Sequence, residues 1–337
     1  MALFKKSSSL PIPAFWQWWN DEGAARVEAA IRTKDFGNLA AVITKKVKAI
    51  HPDLVWELGQ GKSSEHCLTV SAGGVAVARP LAERWKRSAP APSPEWEYAA
   101  ARERSADALS NTLEFEGVAL SLVDALLAVE VDEARAVVDV AMFHPAFERL
   151  PREQQLAVVF LALDWTLGED DVERWIGEIS SVDAPPSTPV GLAALPGVVD
   201  ALAARTKEEW VLMEAPADKG MRRLVQAQRP LRWIDHPLLD LHSEVELRYS
   251  TSRSDGLPDE ESLEQLRTLE HGLEDAAGGR ARLLAIDTSS GKRSFHLYSD
   301  SEDQNAADAI SRWTAITPGA HVTHSHDPSW TRLRAYG

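Results

Sequence analysis

The chain has 337 residues, 44% of them hydrophobic, which is more than one small core needs; since domains run to about 100–200 residues, two domains are expected. A single cysteine, Cys67, excludes an intramolecular disulfide and any multi-cysteine zinc cage. Formal net charge is −15, and residues 103 to 183 hold five basic against eighteen acidic side chains, a balance that would repel a phosphate backbone and so disfavours nucleic-acid binding through that face.

The opening MALFKKSSSLPIPAFW lacks the apolar run of about 7–15 residues that a signal peptide needs, and no run approaches the roughly 18 of a membrane span, so a cytoplasmic protein is expected. After a polar tail over residues 1–13, Phe15 to Arg32 reads as a helix and Phe36 to Ile50 as a second, stopped by His51-Pro52. Trp16, Trp18 and Trp19 read as core packing rather than a stacking site. Extended runs Asp53 to Leu58 and His66 to Ser71 flank Gly59-Gln60-Gly61-Lys62-Ser63-Ser64. This loop lacks the full spacing of a phosphate-binding loop. A short helix ends near Lys86, and Ala89 to Pro94 is a stiff connection.

Trp96 to Arg102 and Leu113 to Leu120 read as strands, and Leu127 to Met142 as a hairpin across Asp132-Glu133-Ala134-Arg135. Pro151 opens a helix with the stripe Leu156, Val159, Phe160, Leu163 and Leu167, and Gly168 stops it. The acid cluster Glu169, Asp170 and Asp171 follows. Val172 to Val182 reads as strand, although Glu173 to Ile176 could extend a helix. After the break at Pro185 to Pro189, Gly191 to Arg205 is a helix, and a domain boundary falls near Thr206.

In the C-terminal domain, 207–337, Trp210 to Met213 and Met221 to Gln228 read as strands. In the next strand Val245, Leu247 and Tyr249 alternate with Glu244, Glu246 and Arg248. Pro258 begins a helix with Asp259, Glu260 and Glu261 in its first turn, an apolar stripe of Leu263, Leu266, Leu269 and Leu273, and a stop at Gly278-Gly279. Runs Ala281 to Asp287 and Arg293 to Ser299 form a hairpin around Gly291. A helix from about Glu302 to Trp313, capped by Ser301, and a strand Ala320 to His326 complete the chain. The order from Ser243 is strand, helix, strand, strand, helix, strand, the split βαβ order of a ferredoxin-like domain. The fold class expected is therefore α+β, with an N-terminal domain over 14–206 and a ferredoxin-like sandwich preceded by extra strands.

The strand into Tyr249, the segment SDGLPDEESLEQLRTLEHGLEDA, then GKRSFHLY, and the closing HSHDPSWTRLRAY with Asp327, Pro328 and Trp330 resemble the bacterial domain-of-unknown-function 695 family over about Lys207 to Tyr336. By fold order the stretch is also similar to the regulator of ribonuclease activity B, a small ferredoxin-like protein that binds and inhibits an RNA-degrading enzyme. The family has no established catalytic residues, so the resemblance carries none over to this chain.

No site in the sequence is complete. His324 and His326 would share one face of a strand, with His321 on the other; two imidazoles do not make a selective zinc site, so an edge strand is the simpler reading. Glu169, Asp170 and Asp171, with Asp164 a turn earlier, read as a solvated acidic loop, or more sharply as a face for a basic protein partner. Cys67 and His66 point to opposite faces of their strand and cannot form a couple. Arg253 and Asp255 sit in the loop before the central helix, as turn chemistry first and recognition surface second. The function expected is that of a non-catalytic binding or regulatory module with no cofactor. The alternative is a hydrolase, which would require carboxylates and histidines to converge in one concave pocket.

Overall fold

The computed structural model describes residues 11–336 other than 106, 111, 116 and 219. The fold is mixed α+β, and the chain divides into two compact units: residues up to Glu133 with Val137–Ala203, and Ala134–Ala136 with Ala204–Gly337. Among the described residues no helix is long and apolar enough to cross a membrane.

The first unit begins with α1 (Pro11–Trp18), which passes through a π-helical turn, Trp19–Gly23, into α2 (Ala24–Thr33). Pro11 and Pro13, expected in the polar tail, are already helical. A first turn needs no intrahelical N–H partner, and Ile12 is buried between the two prolines. Next come α3 (Leu39–Ile50), β1 (Val55–Gln60), β2 (His66–Ser71), α4 (Arg79–Arg87) and β3 (Trp96–Ala99), the strands forming a sheet in the order β1-β2-β3. Their core is an aromatic nest of Phe15, Trp16, Trp18, Trp19, Trp85 and Trp96. Trp16 stacks on Trp85 at 4.6 Å and donates its indole N–H to the Trp85 carbonyl at 2.8 Å. These tryptophans are packing, as their helical spacing indicates.

A second core in the same unit is built from β4 (Thr112–Phe115), β5 (Val118–Ser121), β6 (Leu126–Asp132), β7 (Val137–Phe143), α5 (Arg152–Leu167), α6 (Glu169–Trp175), β8 (Ile176–Ser181), β9 (Val190–Gly191) and α7 (Leu195–Arg205). The single strand expected over Leu113 to Leu120 is instead a two-strand hairpin, because Gly117, at φ 79°, turns the backbone in the left-handed region. The acid triplet is likewise no loop. Glu169, Asp170 and Asp171 form the first turn of α6, where the helix dipole favours carboxylates, so the expected strand begins only at Ile176. Gly168 makes this corner between α5 and α6: its φ is +85°, and a Cβ would lie 2.9 Å from the Arg102 carbonyl.

The second unit is a six-stranded antiparallel sheet of β10 (Glu209–Ala215), β11 (Arg223–Arg229), β12 (Leu241–Arg248), β13 (Ala281–Ser289), β14 (Lys292–Ser299) and β15 (Ala320–His326), in the order β10-β11-β13-β14-β12-β15. The helices α8 (Glu260–Ala277) and α9 (Gln304–Ile316) pack on one face against Val245, Leu247, Ile286, Phe295 and Leu297. Their starts differ from the sequence reading by a residue or two. α8, expected to begin at Pro258, begins at Glu260 with Asp259 as its cap, accepting from the Ser262 amide at 3.0 Å, and Gly278 ends it at φ 59°. Asp303 caps α9, while Ser301 instead binds Asp240 through both amide and hydroxyl at 2.8 and 2.9 Å.

The opposite face of this sheet is only partly covered. The Asp-Pro-x-Trp segment folds over one end of it and is held by its own chemistry. Asp327 accepts from the Tyr298 hydroxyl at 2.6 Å and from the Thr331 and Arg332 amides at 2.9 Å, which holds its carboxyl below the usual range against the opposing effect of burial. Trp330 donates to the Leu239 carbonyl at 2.8 Å, and Trp330, Leu333 and Tyr336 close a small apolar core with Val225, Ala227 and Tyr298. The rest of that face is open.

Candidate functional site: a polar cleft on the open face of the sheet

Alternation decides which side chains reach the open face. With Val245 and Leu247 turned to the helices, β12 presents His242, Glu244 and Glu246 outward; with Phe295 and Leu297 inward, β14 presents Lys292, Ser294, His296 and Tyr298. Antiparallel register sets His242 beside Tyr298 and Glu244 beside His296, while Asp287 of β13 lies beside Ser294 on the other side. Of these, Glu244, Asp287, Lys292, Ser294 and His296 line a cleft of about 550 Å³ together with Arg223, Ser289, Ser290, Tyr336 and the segment Pro216 to Asp218, while His242 and Tyr298 are buried beside it.

Its floor is one hydrogen-bonded chain. Arg223 grips Asp287 with Nε at 2.9 Å and Nη2 at 2.5 Å, and the Tyr336 hydroxyl donates to the same carboxylate at 2.9 Å. His296 Nε2 lies 3.5 Å from that hydroxyl, His296 Nδ1 lies 3.0 Å from His242 Nε2, and His242 Nδ1 lies 3.5 Å from the Ser325 hydroxyl. With the Tyr336 proton on Asp287, one arrangement satisfies every pair: His296 Nε2–H donates to Tyr336, His242 Nε2–H to His296, and Ser325 to His242.

Burial accounts for the electrostatics. Both imidazoles are pushed down to about 4, chiefly by desolvation, His242 further by the neighbouring His296, so both are neutral at pH 7. Burial and the Asp287 carboxylate push the Tyr336 hydroxyl up to about 12, and the bond to Asp287 holds Arg223 charged. Glu244 is different. It is half-buried beside His296 and has no hydrogen-bond or ion-pair partner among the described residues.

The residues singled out from the sequence lie elsewhere. Asp170 makes a two-pronged pair with Arg79 at 3.1 and 2.9 Å, Asp171 pairs with Arg104 at 2.8 Å and with Arg174 at 2.6 Å, and Glu169 accepts from Ser71 at 2.9 Å. The triplet is therefore bonded inside the first unit and is not the solvated acidic loop expected. His324 is held between the hydroxyls of Ser243 at 2.8 Å and Ser311 at 2.9 Å, and His326 lies 3.3 Å from Asp240, so the two rings do not converge. Among the described residues no group of three or more His, Cys, Asp or Glu could hold a metal. Arg253 and Asp255 bond to each other at 2.8 Å within their turn. In the Gly-Lys-Ser loop, the amides of Lys62, Ser63 and Ser64 do cradle an anion, the Glu97 carboxylate, at 2.6, 2.9 and 3.1 Å, and these bonds hold it below its usual range.

A second group of carboxylates surrounds Asp164, which is pushed up to about 6 by burial, then by Glu169; Arg102 opposes, and Glu57 adds to the rise. Because the folded state holds this proton more tightly than the unfolded chain, stability falls as pH rises from about 4 to 6, and the penalty is fully present above that. Asp164→Asn is therefore expected to stabilise the protein at pH 7.5 by about 1–2 kcal/mol, allowing for screening of a half-buried group. The gain should vanish near pH 3.5 in urea melts; an equal gain at both pH values would refute this origin.

No family model and no curated protein matches the chain.

Proposed function

We propose that the protein is a non-catalytic binding or regulatory module whose C-terminal cleft takes an amine-bearing ligand, either a free amine or a lysine side chain of a basic protein partner. One observation carries this reading: Glu244 is a carboxylate with no partner among the described residues, in a cleft where Arg223, Asp287, Tyr336 and His296 are bonded to one another. An ammonium group would give this carboxylate the charge-assisted hydrogen bonds it lacks among the described residues. The adjacent imidazoles, neutral at pH 7, neither repel such a cation nor compete with it. Asp287, Tyr336 and Arg223 hold the floor rigid, which favours binding through a preformed site.

The strand order supports a ferredoxin-like reading of the region from β12 to β15. There β12 and β13, joined by α8, run the same way with β14 antiparallel between them, and β15 lies on the far side of β12. This is in keeping with the resemblance to the domain-of-unknown-function 695 family and with a two-domain chain. A hydrolase is the second reading, supported by the carboxylate of Glu244 standing one strand from the imidazole of His296.

Thermal melts with primary amines, amino acids, polyols and a lysine-containing peptide separate these readings. An amine is expected to raise the melting temperature by mass action, polyols are not, and Glu244→Gln should abolish the rise. A response to the peptide but not to free amines identifies the protein partner as the source. A rise that survives Glu244→Gln, or no rise with any amine, overturns the proposal, and turnover of an ester or amide probe lost in the same variant would favour the hydrolase.

A further inference from the structure

The two edges of the six-stranded sheet differ in kind. The β15 edge reads Ala-His-Val-Thr-His-Ser-His, whereas the β10 edge reads Glu-Trp-Val-Leu-Met-Glu-Ala. Strand β10 pairs with β11 alone, in unbroken register from Glu209 to Ala215, so its outer side presents unpaired N–H and C=O groups along seven residues. Edge strands are ordinarily protected by a proline, a lysine or a bulge, and β10 has none of these.

The side chains reinforce the backbone. Val211 and Met213 stand opposite Ala227 and Val225 on the face of the small apolar core. Trp210 and Leu212 therefore point to the other face, beyond the strands that α8 and α9 cover, and remain 47% and 61% exposed. The half-buried Leu224 lies across from Glu214 on that same face.

We propose that β10 is a self-association edge, at which a second copy of this chain adds its own β10 antiparallel and extends the sheet across a two-fold axis. Strand and symmetry select the register. Leu212 is the midpoint of Glu209–Ala215, so a two-fold axis through it pairs all seven residues, with Glu209 opposite Ala215 of the second copy and Val211 opposite its Met213. In that register Leu212 meets itself, Trp210 lies diagonally across from Leu212 of the second copy, and the two chains form a continuous apolar stripe. Trp210 also faces Glu214 of the second copy, whose charge is already met by Arg222 at 2.9 Å. No like charges oppose. Moving the axis to Val211 would set Glu208 against Glu214, and moving it to Met213 would leave Glu209 and Trp210 opposite residues beyond the strand, including Pro216. This inference is independent of the cleft.

Sedimentation velocity on the full chain tests it. The weight-average mass is expected to rise from 37.0 kDa toward twice that value with protein concentration, and to rise more readily in high salt, since each copy carries a net charge of −15. Leu212→Lys, which sets two ammonium groups across the axis, should hold the mass at one copy while leaving the melting temperature nearly unchanged, because Leu212 is exposed. Leu212→Cys in a Cys67→Ser background should form a disulfide between copies under mild oxidation, as residues paired on the axis lie within bridging distance. A single-copy mass at every concentration, a dimer indifferent to Leu212→Lys, or the absence of that disulfide overturns the proposal.

Discussion

Replacing Asp170 with alanine is expected to destabilise the protein by about 3 kcal/mol, because it removes the two-pronged partner of a buried guanidinium. Arg79 has a side chain only 7% exposed, and its Nε and Nη2 both go to Asp170, leaving Glu83 at 3.3 Å as its other carboxylate. The pair also ties α4, which packs in the aromatic core, to α6, which packs in the second core of the same unit. Its loss should therefore loosen the junction as well as one side chain. Glu103→Ala supplies the control: it breaks the Lys62 pair, whose side chains are 67% and 49% exposed, and should cost no more than about 0.5 kcal/mol. Urea denaturation of the two variants measures the contrast, and an Asp170→Ala as mild as the control would refute it. Reversing Glu169, Asp170 and Asp171 together is expected to be worse still, whereas a solvated acidic loop would tolerate the change.

Acidification from pH 6.5 to 4 is expected to remove about 3 kcal/mol per ring from the C-terminal unit, as the unfolded chain takes up protons that the buried His242–His296 pair does not. The rings are 2% and 5% exposed, stacked 5.3 Å apart, and hydrogen-bonded to each other, so neither can charge without losing its donor–acceptor match and facing the other. Their folded values lie below the unfolded value of 6.5. In that window the unfolded chain binds more protons, and stability rises with pH. The contribution is fully present above about 6.5 and is lost as pH falls through 4. The charged groups around the pair do not reverse the sign: Glu244 and Asp327 act to raise His242 and Asp287 to raise His296, while Arg332 and Arg223 oppose them, and burial dominates. Histidine NMR titration of the full chain should show these two rings untitrated at pH 5.5, and hydrogen exchange along β14 should accelerate below pH 5. Titration of either ring near 6.5 would refute the assignment. Asp164 gives the first unit the opposite slope over the same range, so the two units should respond to acid in opposite directions.

Local pattern made much of this molecule legible. Period-2 alternation placed Val245 and Leu247 on the buried face of β12, the glycines at 278 and 168 ended their helices, and the tryptophans at 16, 18 and 19 read as core, because each depends on neighbours a few residues away. The paired acids were misread for the same reason in reverse. In sequence Glu169, Asp170 and Asp171 are three like charges, and what neutralises Asp170 is Arg79, ninety-one positions away. The cleft was hidden by the same separation. His242 and Glu244 stand on alternate positions of one strand and His296 and Tyr298 on another, a spacing that by itself marks only a polar face. The sheet order sets β12 beside β14, and the closing segment brings Tyr336 onto Asp287 and His296, forty-nine and forty residues away in the chain. Burial then shifts the histidines, and desolvation is a property of the packed unit that no spacing encodes. The sequence by itself determined the elements, their faces and most of their ends, because backbone geometry is local. Tertiary structure alone decided which charges are paired and that Glu244 has no partner among the described residues, because that depends on which strands become neighbours.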